Sequence, residues 1–333
     1  MSKKIRWGIL STANIGIQKV IPAMQRGKYS EIVAIASRNP ERAKAAADQL
    51  KIPRRYNSYE ELLDDKDIDA IYNPLPNTMH VPWTIRALHA GKHVLCEKPL
   101  GINTDEIKQL IEARDKANLK VGEAFMVRSH PQWKKVFSLI ESGELGDVRS
   151  FQCGFYYRNL DPNNIRNQAD VYGGAMMDIG CYPLLMSRLV FNQEPERVLA
   201  LMDIDPEFKT DRLTSVILKF PSGHAVFTVS TQLVAHQRVQ IVGTEKRIEI
   251  EIPVNAPNDR PTKICVHGPN IFGEDVATIE FDVCDQYTLQ GDEFSLAILN
   301  NTEVPMTLED SMKNMAAISA IFESAKTGQW ESI

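Results

Sequence analysis

Three side chains of this 333-residue chain could between them move a proton at a carbinol: Lys98, Asp178 and Tyr182. His93-Val94-Leu95-Cys96 reads as a strand, and Glu97-Lys98-Pro99 follows at its carboxyl end. A residue before proline is steered toward extended backbone, which fixes the direction in which Lys98 leaves the chain. A lysine in a partly dry crevice holds its proton less firmly and can bond an ionising substrate hydroxyl. Downstream, Gly173-Gly174-Ala175-Met176-Met177-Asp178-Ile179-Gly180-Cys181-Tyr182 opens a predicted helix. Asp178 and Tyr182 are four apart and share one face, one turn from each other. Small residues ahead of them leave room for a ligand at the helix start. A carboxylate and a phenol so placed can orient a sugar-like diol and relay a proton. Taken singly, the plainer readings are a surface lysine, a dipole-favoured aspartate and a core tyrosine; order and spacing argue for the set.

The redox step of such chemistry belongs to a cofactor, so no metal is expected. Ile5–Leu10 reads as a buried strand that runs into Ser11-Thr12-Ala13-Asn14-Ile15-Gly16, the place of a G-x-G-x-x-G fingerprint. Only the last glycine is present, but Ser11 and Ala13 are small. The backbone from Ser11 to Ile15 can still approach a pyrophosphate at a helix N-terminus. An NAD site wants a carboxylate about 20 residues further on. The sequence there is Ala36-Ser37-Arg38-Asn39. Arg38 can fork onto a 2′-phosphate and Ser37 can donate to it, which favours NADP over NAD. A third cofactor element is Tyr72-Asn73-Pro74-Leu75-Pro76-Asn77-Thr78-Met79-His80, at the carboxyl end of another strand. Asn73, Pro76 and Asn77 are candidates for the nicotinamide-side floor, with Glu97 and Lys98 nearby. His80 either lines that pocket or is a structural histidine.

These residues need a scaffold, and the pattern predicts an α/β protein. Through residue 125 strand and helix signals alternate, as in a Rossmann doubly wound parallel sheet. Predicted strands are 5–10, 31–36, 68–72, 93–96 and 119–125; predicted helices are 15–24, 41–50, 78–90 and one opened by Asn103. Asn39-Pro40, Ser58 to Glu61 and Asn103 to Glu106 are helix starts, and Gly91 is a helix stop. Residues 126–333 read as a second, substrate-binding domain with helices and an open, mostly antiparallel sheet. Its predicted strands are 148–157, 197–202, 213–220, 225–232, 239–242, 248–252, 263–266 and 277–283. A helix spans about 174–191 and two more, 286–299 and 308–325, close the chain. The final helices are candidates to pack back on the first domain. The loop 158–170 holds Arg158 and Arg166, which with Tyr157 could contact substrate.

Composition narrows the partners. With 38 Lys and Arg against 43 Asp and Glu the net charge is −5, which gives no electrostatic reason to seek nucleic acid or an anionic membrane. No run approaches the ~20 apolar residues of a spanning helix. The basic start, Met1-Ser2-Lys3-Lys4, lacks a signal-peptide core. Five cysteines without C-x-x-C spacing suggest reduced thiols in a cytoplasmic protein.

The glycine turn, Glu97-Lys98-Pro99 and Gly173-Gly174-Ala175…Asp178…Tyr182 together resemble the glucose–fructose oxidoreductase/inositol dehydrogenase/MocA family over essentially the whole chain. Tyrosine at 182, where many members carry histidine, looks like the branch with NADP-dependent xylose dehydrogenase and dimeric dihydrodiol dehydrogenase. The resemblance implies NAD(P)-dependent hydride transfer on sugars or related polyols, and a homodimer or homotetramer formed through the C-terminal sheet. It also implies Lys98 as catalytic lysine, Asp178 as substrate-binding aspartate and Tyr182 as acid/base. The expected substrate is an aldose or related polyol. A dihydrodiol dehydrogenase or a ketosugar reductase would use the same residues. A non-catalytic NADP sensor would have no need of the intact Lys98–Asp178–Tyr182 set.

Overall fold

The structure, a computed structural model, describes residues 3–333; Met1 and Ser2, the start of the basic N-terminal run, lie outside the described residues. Its strands are β1 (Ile5–Leu10), β2 (Ser30–Ala36), β3 (Arg54–Tyr56), β4 (Ala70–Asn73), β5 (His93–Glu97), β6 (Val121–Ala124), β7 (Val148–Arg158), β8 (Arg197–Ile204), β9 (Asp211–Lys219), β10 (His224–Ser230), β11 (Gln232–Gly243), β12 (Arg247–Ile250), β13 (Thr262–His267), β14 (Val276–Phe281) and β15 (Glu331–Ser332). Its α-helices are α1 (Ile21–Gln25), α2 (Pro40–Leu50), α3 (Tyr59–Asp64), α4 (Asn77–His89), α5 (Thr104–Ala117), α6 (Pro131–Glu141), α7 (Cys181–Phe191), α8 (Gln286–Leu299) and α9 (Leu308–Thr327). Two compact units result. One runs to Ser129 and takes in Asp285–Met312; the other is His130–Cys284 with Lys313–Ile333.

The first unit is a six-stranded sheet in the order β3-β2-β1-β4-β5-β6, parallel throughout. β1, β4 and β6 are mostly apolar and buried almost end to end, as strands covered on both faces must be. Helix starts follow the sequence signals. Asn39, Ser58 and Asn103 each accept the backbone N–H three residues on. Glu61 and Glu106 reach back, to the N–H of Asn57 and Ile102, one residue before the cap. α8 packs on this sheet: the Trp7 ring lies tilted against Phe294 at 5.6 Å and donates Nε1–H to Ser295. Trp7, Ile9, Ile21, Met24, Tyr72 and Phe294 belong to one buried cluster.

The second unit carries a nine-stranded sheet in the order β14-β13-β12-β11-β7-β10-β9-β8-β15. It is antiparallel except at its centre, where β7 pairs parallel with β10 and antiparallel with β11. The predicted hairpin at Pro221–His224 joins β9 to β10. Val216, Leu218, Ala225 and Phe227 are buried, while Leu201, Ile217 and Val226, on the alternate positions, are exposed.

Several elements differ from expectation. β11 has twelve residues rather than the predicted four, because the mixed, largely exposed stretch before Val239 also pairs along β7. α6 and β3 carried no prediction. α6 nevertheless has legible signals: Pro131 at its first position and Trp133, Val136 and Leu139 buried on one face. The predicted helices at 15–24 and 174–191 are continuous, but Gly16–Val20 and Met176–Gly180 are π-wound, with Ile21 N–H on Gly16 O and Cys181 N–H on Met176 O. A turn of this kind widens a helix locally and occurs often at functional sites.

Candidate active site

In the first unit the turn after β1 has the shape expected of a phosphate cradle. Ser11 sits at φ +71°, the left-handed conformation that a fingerprint glycine would supply. Its hydroxyl accepts the Ala13 N–H at 3.2 Å, a local bond that offsets part of the strain. Thr12 and Ala13 follow, and the helix starts at Asn14 and Ile15. Gly16 is not compelled by packing: a Cβ there would meet Tyr72, Ile21 and Pro74 at ordinary contact distances. At the end of β2 the Ser37 hydroxyl accepts the Asn39 N–H, and Arg38 is exposed beside the Tyr59 phenol. The turn, the helix start and an exposed guanidinium thus fit a dinucleotide with a 2′-phosphate.

The loop after β4 is held from inside. Asn73, fully buried, donates to His80 O and Thr84 Oγ1 and accepts the Leu75 N–H. His80 is also buried, with Nδ1 2.8 Å from Pro99 O and Nε2 2.6 Å from Leu75 O. Two carbonyl partners favour an imidazolium, but burial prevails and lowers the pKa to about 4, so one ring nitrogen carries the proton at a time. Asn73 and His80 therefore spend these polar atoms on scaffolding, whereas Pro76 and Asn77 are part-exposed at the start of α4. Glu97 accepts a 2.6 Å bond from the buried Tyr72 phenol, whose proton is held by burial and by that carboxylate. Lys98 follows, half-buried, and its neighbour Leu100 donates its N–H to Glu123 at 2.8 Å.

In the second unit Asp178 is the centre of a charged cluster. Its Oδ2 accepts 2.6 Å and 2.9 Å bonds from the Tyr157 phenol and Arg166 Nε. Burial, and then the Asp178 charge, push the Tyr157 phenol up, so it stays a donor. Tyr182 lies one turn on, 5% exposed and edge-on to Phe155. Arg158 stands apart from this cluster, exposed at the end of β7 on the opposite side of the strand from Tyr157.

The Gly173-Gly174 pair exists for close approach. A Cβ on Gly173 would press on the Ile165 and Arg166 carbonyls, and one on Gly174, at φ +111°, would overlap Asp211 Oδ1. Asp211 is the organiser that sequence reasoning missed. Only 3% exposed, it accepts the Met176 N–H at 2.7 Å and the Thr214 hydroxyl at 2.6 Å. Burial raises its carboxyl to about 6. Nothing in the sequence around Asp211 marks it. Glu123 was missed as well, although a carboxylate inside an apolar strand is a visible anomaly.

Comparison with known proteins agrees over both units. Residues 5–125 match the GFO_IDH_MocA oxidoreductase family with NAD-binding Rossmann fold, and residues 133–249 match the GFO/IDH/MocA C-terminal domain. An uncharacterized oxidoreductase from Rhizobium meliloti is 46% identical over 331 residues, 99% of each chain. The D-xylose 1-dehydrogenase (NADP(+)) 2 of Haloferax volcanii is 38% identical, covering 97% of this chain and 98% of that one. Among solved structures, a 3-ketoreductase from Actinomadura kijaniata in complex with NADP and TDP-benzene superposes with a TM-score of 0.89 at 27% identity, over 97% and 98% of the two chains. No helix of the described residues is long and apolar enough to cross a membrane. With a parallel six-stranded Rossmann sheet, a second mostly antiparallel sheet and both family domains in order, the chain belongs to the Gfo/Idh/MocA oxidoreductase family.

Proposed function

We propose that this chain is an NADP-dependent dehydrogenase acting on the carbinol of an aldose or related polyol, with Lys98, Asp178 and Tyr182 handling the substrate. The observation that carries the reading is Lys98, half-buried at the carboxyl crest of a nucleotide-binding sheet, in a segment braced from His80 and Glu123. The aldose follows from the likeness to the xylose enzyme over almost the full length of both chains. NADP, when bound, supplies the two-electron redox step.

The chain's own residues supply the rest. The Ser11–Ile15 turn receives the pyrophosphate, and Ser37 and Arg38 receive the 2′-phosphate. Pro76, Asn77 and Glu97 line the nicotinamide end, and Asn73 and His80 hold that lining in place. Tyr182 takes the hydroxyl proton in oxidation and returns it in reduction. Lys98, cationic, lowers the phenol's proton affinity and steadies the developing alkoxide. Asp178 orients neighbouring hydroxyls, itself held by Tyr157 and Arg166; Arg158 contributes from the rim. The exposed Leu201, Ile217 and Val226 form an apolar face suited to pairing with a second copy.

A ketosugar reductase is the second reading, favoured by the likeness to the NADP-bound 3-ketoreductase. Aldoses, ketosugars and cyclic diols assayed with NADP⁺ or NADPH separate the two. NADPH fluorescence should report binding, and turnover should be greatest with an aldose. A protein that binds NADPH but turns over none of the panel would reject the dehydrogenase.

A further inference from the structure

We propose that Glu123 is a positioning residue for Lys98: its carboxylate fixes the backbone beyond the lysine and supplies the lysine's counter-charge from inside the sheet. This rests on Lys98 being the proton-handling amine proposed above. Glu123 lies on β6, in register with Cys96, two residues before Lys98 on the neighbouring strand. It is 5% exposed, and its Oε1 accepts the Leu100 N–H across the Lys98–Leu100 segment. Its Oε2 is buried with no hydrogen-bond partner among the described residues. Leu95, Phe125, Phe294 and Met306, with Ser129 and Gln290, line the small cavity beside it.

A carboxylate kept in such surroundings needs an electrostatic reason, since burying a charge without compensation is costly. The charged and titratable groups that face it are Lys98, Asp310 at the start of α9 and the Cys96 thiol on β5. Asp310 is itself bonded to Arg128 at 3.4 Å, and the Ser311 hydroxyl, which bonds Thr307 O, is uncharged. Lys98 is then the cation facing the carboxylate. Burial, and after it Asp310, raises Glu123; the Ser311 hydroxyl, the Leu100 N–H and then Lys98 lower it, and the carboxyl settles at about 7. Below neutrality Glu123 is an uncharged acid; above neutrality it presents a negative charge toward Lys98.

The test is E123Q, which can still accept the Leu100 N–H but carries no charge. Brief acetylation of the holoenzyme across pH 6 to 9, read at Lys98 by mass spectrometry, needs no substrate. Without the counter-charge the amine releases its proton more readily, so Lys98 in E123Q should react about threefold faster at pH 8. The wild-type profile should bend near pH 7, and that bend should vanish in the variant. Superimposable profiles would overturn the proposal. Should E123Q fail to fold, the wild-type profile decides alone: a single smooth titration of Lys98 rejects the coupling, and a two-step rise supports it. Turnover gives a separate reading. The acid limb of kcat near pH 7 should be lost in E123Q while KM changes less than twofold, whereas a merely structural role would lower kcat in parallel at every pH. Absence of turnover in the wild type would sink the dehydrogenase reading and leave the acetylation result to judge Glu123.

Discussion

The lysine-bearing crest of the first unit and the aspartate-bearing helix start of the second prepare their side chains by opposite means. In the first, regular structure does most of the placing. Parallel strands end at a common edge, the loops leave it in register, and Lys98 falls where any residue after β5 would fall. The bracing groups, His80 and Glu123, act mainly on the backbone around it. In the second, irregular structure does the placing. Two glycines let the chain pass within touching distance of Arg166 and Asp211, a π-wound turn follows, and Asp178 is gripped by Tyr157 and Arg166. A crest built from strand ends tolerates local change; a turn built on close approach does not.

The largest test of this contrast is Lys98→Ala. Turnover should fall about a thousandfold or more, while NADPH affinity, measured by fluorescence titration, should stay within about threefold of the wild type. Equal losses in both would show that Lys98 serves binding alone. Next come the glycines. Gly174→Ala should cost about 2–4 kcal/mol in urea unfolding, from the φ of +111° and the overlap with Asp211. Gly16→Ala should change stability by less than about 1 kcal/mol, because its Cβ meets only ordinary contacts. If the two variants lost equal stability, the proposed contrast would collapse.

Asp178→Asn removes the charge that Arg166 and Tyr157 share, and KM for the sugar should rise about tenfold or more with NADPH binding unchanged. Replacing Ser37 and Arg38 by alanine should lower the preference for NADPH over NADH about tenfold, measured as a ratio of kcat/KM. An unaltered ratio would remove the 2′-phosphate assignment. A further effect concerns Asp211. Folding lifts its carboxyl from 3.8 to about 6, so the folded chain keeps a proton that the unfolded chain has released across that interval. Its stabilising contribution is full below about pH 4 and declines as pH rises to about 6. The stability of the wild type relative to Asp211→Asn should therefore fall by about 2 kcal/mol between those pH values. A flat difference would mean that Asp211 does not titrate there.

The same contrast explains what could be read from the amino acids alone. Strand and helix periodicity, caps such as Asn39 and Asn103, and the position of Lys98 were legible because each depends on residues close in sequence. The scaffolding duty of His80 stood only as an alternative and that of Asn73 was not foreseen, since a buried polar residue looks the same in sequence whether it faces a ligand or a carbonyl. Asp211 was hidden because the segment it organises, Gly174 to Met176, lies more than thirty residues away. The π-wound turns were hidden because hydrophobic periodicity over five residues does not separate them from an α-helix. Glu123 alone broke the pattern of its own strand.

The central claim is that this chain moves a hydride between a nicotinamide and the carbinol carbon of a sugar-like substrate. It is tested most directly by incubating the enzyme and NADP⁺ with an aldose deuterated at C1 and weighing the nicotinamide product. The account predicts one deuterium in the NADPH formed by the wild type and a rate about a thousandfold lower in Lys98→Ala. NADPH formed without deuterium, or at the same rate in both proteins, would contradict it.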